Sequence, residues 1–161
     1  MRRAALGSAL FFLLAPGVVA GVMPWLLTGW DAQPTPALLR VLGALLIVAG
    51  LPVLVLAFSR FVTEGLGTPA PTAPTAQLVV GGLYRWVRNP MYLAVGSVIA
   101  GQALLLGRPV LWAYLAVFAT AVALFVHGYE EPVLSATYGE EYEAYRRAVP
   151  AWRPRLRPWR G

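Results

Sequence analysis

Polar chemistry in this chain gathers at two places. Arg85 and Arg88 stand just before Asn89-Pro90-Met91-Tyr92, and Glu130-Glu131 stand just before Pro132, with His127 one turn ahead of Glu131. Two guanidinium groups and two carboxylates can pair with one another and hold helix ends together. They can equally form the charged end of a binding site. Asn89 before Pro90 has the residue types of a helix N-cap followed by a first-turn proline. It forms hydrogen bonds but does not titrate near neutral pH. Other chemistry is excluded by what the chain lacks. With no Cys there is neither thiolate nor disulfide, and a single His rules out a multi-histidine metal site. No nucleophilic triad, metal cluster or dinucleotide fingerprint is present.

The elements that must position these groups are membrane spans. Of 161 residues, 58% are hydrophobic and 12% charged, against about 25% charged in soluble domains. Lipid is the simpler solvent for such a chain, and its length suits one domain, residues 1–161. Charged residues fence four apolar windows, giving spans at about 4–30, 38–60, 89–107 and 109–129. Each approaches the roughly 20 residues needed to cross the hydrocarbon core. Pro16, Pro24 and Pro52 predict kinks in the first two. Transmembrane helices tolerate these where neighbours satisfy the freed carbonyls. Arg2-Arg3 before an apolar run also suit a signal peptide, but the run reaches Leu27 without a small-residue cleavage site. The expected class is therefore all-α and integral to the membrane, with about four transmembrane helices and a C-terminal amphipathic cytoplasmic helix.

All 13 basic residues are Arg, giving a net charge of +6. Four spans place eleven of them on one side and only Arg40 and Arg108 on the other. The positive-inside rule then puts both termini in the cytoplasm, for a bacterial protein at the inner membrane. Anionic lipid head groups account for the charge, without nucleic acid. The long segments, 61–88 and 130–161, share that face. Gly65-Leu66-Gly67-Thr68 and the Pro-rich stretch after it read as an extended spacer. They fail as a phosphate loop for want of Gly-Lys-Ser/Thr and a preceding strand. Gly81-Gly82 permits a tight turn with positive φ. Leu134, Tyr138, Tyr142, Tyr145 and Val149 form a helical apolar stripe ended by Pro150. It suits a helix lying on the bilayer or one packed over the bundle mouth. Trp86, Trp152 and Trp159 suit interfacial anchors.

Taken together these segments resemble the isoprenylcysteine carboxyl methyltransferase and phospholipid methyltransferase superfamily, as a bacterial-type member. Residues Gly82-Leu83-Tyr84-Arg85-Trp86-Val87-Arg88-Asn89-Pro90-Met91-Tyr92 are similar to its G-x-Y-x-x-x-R-[HN]-P-x-Y motif. Glu130-Glu131-Pro132-Val133-Leu134, Tyr138-Gly139-Glu140-Glu141-Tyr142 and Val149-Pro150 are similar to its ending, so the resemblance covers roughly residues 60–152. It implies an S-adenosylmethionine-dependent methyltransferase acting on a lipid-soluble or amphipathic acceptor that enters from the bilayer. Cofactor contacts carried over by position are Gln77, Leu78, Val79, Tyr84, Asn89, Pro90, Tyr92 and Glu130. Arg88 is added because a guanidinium suits the cofactor carboxylate, as Glu130 suits its ammonium or ribose.

Two departures bear on the acceptor. Asn89 stands where many relatives have His, so an acceptor needing deprotonation would turn to Glu131, His127 or a Tyr; Glu131 and Asn89 are the expected catalytic residues. Val126 stands one turn before Glu130, where the eukaryotic prenylcysteine enzymes resemble each other in having Arg. The acceptor stays open between carboxylate, amine and thiol. The competing reading is a non-enzymatic membrane scaffold or complex subunit with the same fold. Transport is disfavoured, since the spans carry no charge at their centres.

Overall fold

The computed structural model of the protein describes residues 15–64 and 77–160, with 61, 62 and 64 through their backbone alone. Arg2, Arg3, the start of the first window and the Pro-rich spacer lie outside the described residues. Among the described residues the chain is helical, with no strand. The long apolar elements are α1 (Ala15–Thr28), α2 (Ala37–Glu64), α3 (Pro90–Leu106) and α4 (Pro109–Phe125). Two short helices follow, α5 (Glu131–Tyr138) and α6 (Glu140–Ala148).

Two helical stretches, Ala37–Arg60 and Pro109–Tyr138, are long and apolar enough to cross a membrane, while α1 and α3 are shorter. The 17 residues of α3 rise about 25 Å, a little under the ~30 Å of hydrocarbon. Large apolar side chains face outward along α2 and α4: Leu38, Val48, Val117 and Leu124 are each about two-thirds exposed. Water would penalise such faces, and lipid does not. In α4 only Leu111 is buried.

Helix association relies on close backbones. A Cβ on Gly43 would stand 2.5 Å from the Gly101 carbonyl oxygen, and one on Gly101 would stand 2.7 Å from that of Gly43. Only glycine fits at that crossing, so α2 and α3 pack tightly there without large side chains between them. Nearer the site, Leu54 of α2 joins Ala94, Val95 and Ile99 of α3 in the central core.

Proline shapes both helices that border the site. Val18–Val22 in α1 and Val126–Glu130 between α4 and α5 are π-helical turns, and each ends two residues before a proline, Pro24 and Pro132. A proline has no N–H to return to the preceding turn, and its ring crowds the carbonyl four residues back, so the turn widens. In α1 the carbonyls left over are satisfied from neighbouring helices. Gln102 Nε2 donates to the Ala20 carbonyl at 2.7 Å and Tyr114 Oη to that of Val19 at 2.7 Å. Thus the kink expected from Pro24 takes the form of a π turn pinned by α3 and α4.

The apolar stripe from Leu134 to Val149 is not one helix. Gly139, at φ 53° and ψ −126°, breaks it into α5 and α6, a backbone conformation that a residue with a Cβ would resist. Ser135 of α5 donates to the Glu143 carboxylate of α6 across the break. The stripe itself is packed on protein. Tyr142, Tyr145 and Val149 are buried against Leu78, Val80, Leu134 and Trp159, and burial pushes both phenols above their usual range. Gly82 takes φ 55° and opens a single 3-10 turn, Gly82–Arg85, as the Gly pair suggested.

After α6 the chain runs as an irregular strap, residues 150–160, beside the segment leading into α3. Arg88 N donates to the Pro150 carbonyl (3.0 Å), Arg155 N to Trp86 (2.9 Å) and Trp159 N to Arg85 (2.9 Å). Arg85 Nε returns a bond to the Trp159 carbonyl at 2.6 Å.

Candidate functional site

The two polar clusters of the sequence meet. The start of α3 and the end of α4 are neighbours because the two helices run antiparallel through the tight turn at Gly107, where φ is 64°. Tyr92 Oη donates to Glu130 Oε2 at 3.1 Å, and Arg88 Nη1 donates to Glu131 Oε1 at 2.6 Å. The wide turn at Val126–Glu130 ends on the first of these carboxylates, and the two face different partners.

Arg88 is the hub. Besides Glu131, its Nη1 donates to Tyr142 Oη at 3.1 Å and its Nε to the Val149 carbonyl at 2.9 Å. Glu131 is buried and faces further partners: His127 Nδ1 lies 3.2 Å and Arg146 Nη2 3.7 Å from Oε2. These residues come from the segment before α3, the end of α4, α5 and α6. The cluster therefore ties all four together, as an ion pair of low exposure must if each charge is to be compensated. Asn89 holds the N-cap position of α3 and Pro90 follows at the first turn, but the Asn89 side chain does not cap. Its Nδ2 instead donates to the Ala151 carbonyl of the strap at 3.3 Å, and the residue is buried.

Two cavities adjoin this cluster and share Tyr84, Arg88, Asn89 and Glu130 as a wall. One lies beneath α5 and α6, holds about 500 Å³ with its mouth, and adds Leu78, Val79, Glu131, Tyr142 and Tyr145. The other holds about 760 Å³ with its mouth, between α1, α2, α3 and α4, and is lined by Val19, Leu54, Met91, Val95 and Phe118. Both linings are mainly apolar, with the polar groups gathered on the shared wall and, beneath α5 and α6, at Glu131.

Residues 38–141 match the family model of the phospholipid methyltransferases. The chain belongs to that family. No curated protein and no solved structure matches it. Membership of this family makes the chain a membrane methyltransferase by descent, in keeping with its two long apolar helices.

In this phospholipid methyltransferase family member, nine of the ten positions singled out in the sequence line one cavity or both: Leu78, Val79, Tyr84, Arg88, Asn89, Pro90, Tyr92, Glu130 and Glu131. Gln77 lines neither and is exposed. Sequence reasoning missed Tyr142 and Tyr145 as cavity residues, because their spacing marks only an apolar stripe. It also missed Gln102 and Tyr114, whose signal was a lone polar group inside an apolar helix. The family match stops at residue 141, yet Tyr142 and the carbonyls of Val149, Pro150 and Ala151 hold Arg88 and Asn89 in place.

Proposed function

We propose that this protein transfers a methyl group from S-adenosylmethionine to a lipid-soluble or amphipathic acceptor in the bacterial inner membrane. The observation that carries the reading is the polar wall of Tyr84, Arg88, Asn89 and Glu130 standing between the cavity beneath α5 and α6 and the apolar cavity among α1 to α4. The donor groups there fit the cofactor's polar parts. Glu130 suits an ammonium or ribose hydroxyls, Asn89 a hydrogen-bonding partner, and Tyr84 with Leu78, Val79 and Tyr145 an apolar and aromatic surface for a flat ring. When bound, S-adenosylmethionine supplies an electrophilic methyl group, and the protein supplies positioning.

The residues then divide by what they touch. Glu130, on the wall the two cavities share, holds the cofactor, and Tyr92 donates to its carboxylate from the side of the apolar cavity. Apolar side chains from α1 through α4 receive the acceptor's hydrophobic part and exclude water from the polar wall. Asn89 is a catalytic residue in this reading, holding the reacting groups near in-line geometry. Glu131 is one as well for an amine or thiol acceptor, taking its proton; a carboxylate acceptor needs no base. Each oxygen of Glu131 already faces a guanidinium, Arg88 at Oε1 and Arg146 at Oε2, which favours the carboxylate class. Four spans, both termini cytoplasmic and α5–α6 on the cytoplasmic side complete the proposal. Eleven of 13 Arg on one face support it.

Binding of S-adenosylmethionine and its demethylated product to the protein in mild detergent tests this, wild type against Glu130→Ala and Asn89→Ala. Wild-type binding, weakened by either substitution, is expected. No wild-type binding into the millimolar range would sink the enzyme reading in favour of a scaffold. Binding untouched by both substitutions would refute the placement of the site. Labelled methyl transfer into membrane lipids, small thiols and prenylcysteine analogues then identifies the acceptor class.

A further inference from the structure

The C-terminal strap carries the most concentrated charge that the site leaves unused. Arg153, Arg157 and Arg160 are exposed and have no hydrogen-bond or ion-pair partner among the described residues. Between them Leu156 is 97% exposed, more than any other large apolar side chain described. A solvated tail would explain free arginines, but this strap is fixed. Backbone bonds from Arg155 and Trp159 to the segment before α3, Arg155 Nη1 on the Ala148 carbonyl at 2.7 Å, and Trp159 against Tyr145 at 5.4 Å hold it in shape. The protein thus orders a backbone in order to present three cations and a leucine outward.

The depth of the strap indicates what meets them. Pro154 closes one end of an apolar groove between α2 and α3, beside Val53, Trp86 and Leu93. That groove belongs to the faces turned to lipid, so the strap crosses where those faces end and head groups begin. Trp86, partly exposed at the same place, is a residue type of that interface.

We propose that the strap is a docking surface for anionic phospholipid head groups, with Arg153, Arg157 and Arg160 on the phosphates and Leu156 in the upper acyl region. Guanidinium groups bind phosphate oxygens as a fork, and a leucine among basic residues is the composition of an interfacial anchor. The proposal rests on the membrane reading of the fold and is independent of methyl transfer.

The chain has no Cys, so Leu156→Cys offers a single site for an environment-sensitive fluorophore. The labelled full chain is placed in phosphatidylcholine nanodiscs containing the same fraction of brominated phosphatidylglycerol or brominated phosphatidylcholine. Quenching is expected in both, with the glycerol lipid enriched at the probe by roughly fivefold or more and the excess lost at high salt. Arg153→Gln/Arg157→Gln/Arg160→Gln should make the two lipids equal. Equal quenching in the unsubstituted background, an excess that survives the triple substitution, or no quenching by either lipid would each overturn the docking surface. Failure of the chain to enter nanodiscs would instead overturn the membrane reading, and cofactor binding on the same samples reports separately on methyl transfer.

Discussion

At the scale of single residues, Arg88 and Glu131 do a different job from Glu130. The Arg88 side chain carries three hydrogen bonds to three partners, so Arg88→Ala would leave the buried Glu131 without its closest cation. Such a loss costs about 3–5 kcal/mol in buried pairs, and a large fall in thermal midpoint in detergent is the expected outcome. Arg88→Lys should rescue only part, since one ammonium cannot reproduce the separate directions of Nε and Nη1. Full recovery by Lys would show that charge alone, without the fork, is what matters. The Glu130 carboxylate accepts from Tyr92 and lines both cavities. Glu130→Gln keeps an acceptor for Tyr92 and should leave stability within about 1 kcal/mol of wild type. Cofactor affinity should nevertheless fall at least about tenfold, the ordinary worth of a charge-assisted bond. The opposite pattern, lost stability with affinity intact, would exchange the roles given to the two carboxylates. The sequence made these residues visible as types, but adjacency in the chain does not say which of two neighbouring glutamates meets which partner. The widened turn before Pro132 decides that.

At the scale of elements, the apolar windows forecast the helices well because a missing charge is a direct record of lipid or core contact. Prolines forecast where helices deform, but not how the freed carbonyls are answered. Gln102 and Tyr114 answer them in α1, from residues that single polar letters in apolar helices do not reveal. Gln102→Leu should destabilise by about 1–3 kcal/mol, as for an unsatisfied buried carbonyl, and Tyr114→Phe somewhat less. Both would loosen α1 from the apolar cavity and raise hydrogen exchange at residues 18–22. If neither changes exchange there, the π turn is held by packing alone. The tail helix was legible as an amphipathic stripe, but its break was not, because Gly139 is also common in the middle of apolar helices of membrane proteins. The docked stripe has a pH signature. Burial holds the Tyr145 phenol above its ordinary value of 10.0, and its Oη donates to the Tyr84 carbonyl at 2.7 Å. The neutral phenol is thus the folded form. Its contribution is intact below the ordinary value and is lost as pH rises toward and through the elevated one. Hydrogen exchange across α5 and α6 should accelerate above about pH 10, and Tyr145→Phe should flatten that rise.

For the whole molecule, the site depends on which helix ends lie together. The bond from Tyr92 to Glu130 brings the start of α3 and the end of α4 to one rim, so an even number of crossings separates the two motifs in any orientation. The cytoplasmic face proposed for that rim rests on the arginines alone, since charge asymmetry is a global property of the sequence that needs no contact map. The strap was not readable, since its bonds to Arg85, Trp86 and Arg88 are made by backbone groups common to every residue. A chain without Cys allows a direct test of topology. Asp31→Cys lies between α1 and α2 and Glu140→Cys at the start of α6, and both positions are exposed. With a membrane-impermeant maleimide on intact cells, Asp31→Cys should label and Glu140→Cys should label only after permeabilisation. The reverse result would turn the protein over and put the site outside, where cytosolic S-adenosylmethionine does not reach it. Labelling of both from outside would mean that α2 ends where it began or does not cross. Either way the methyltransferase chemistry would lose its supply of cofactor while the fold remained as described, which makes orientation the first measurement to take.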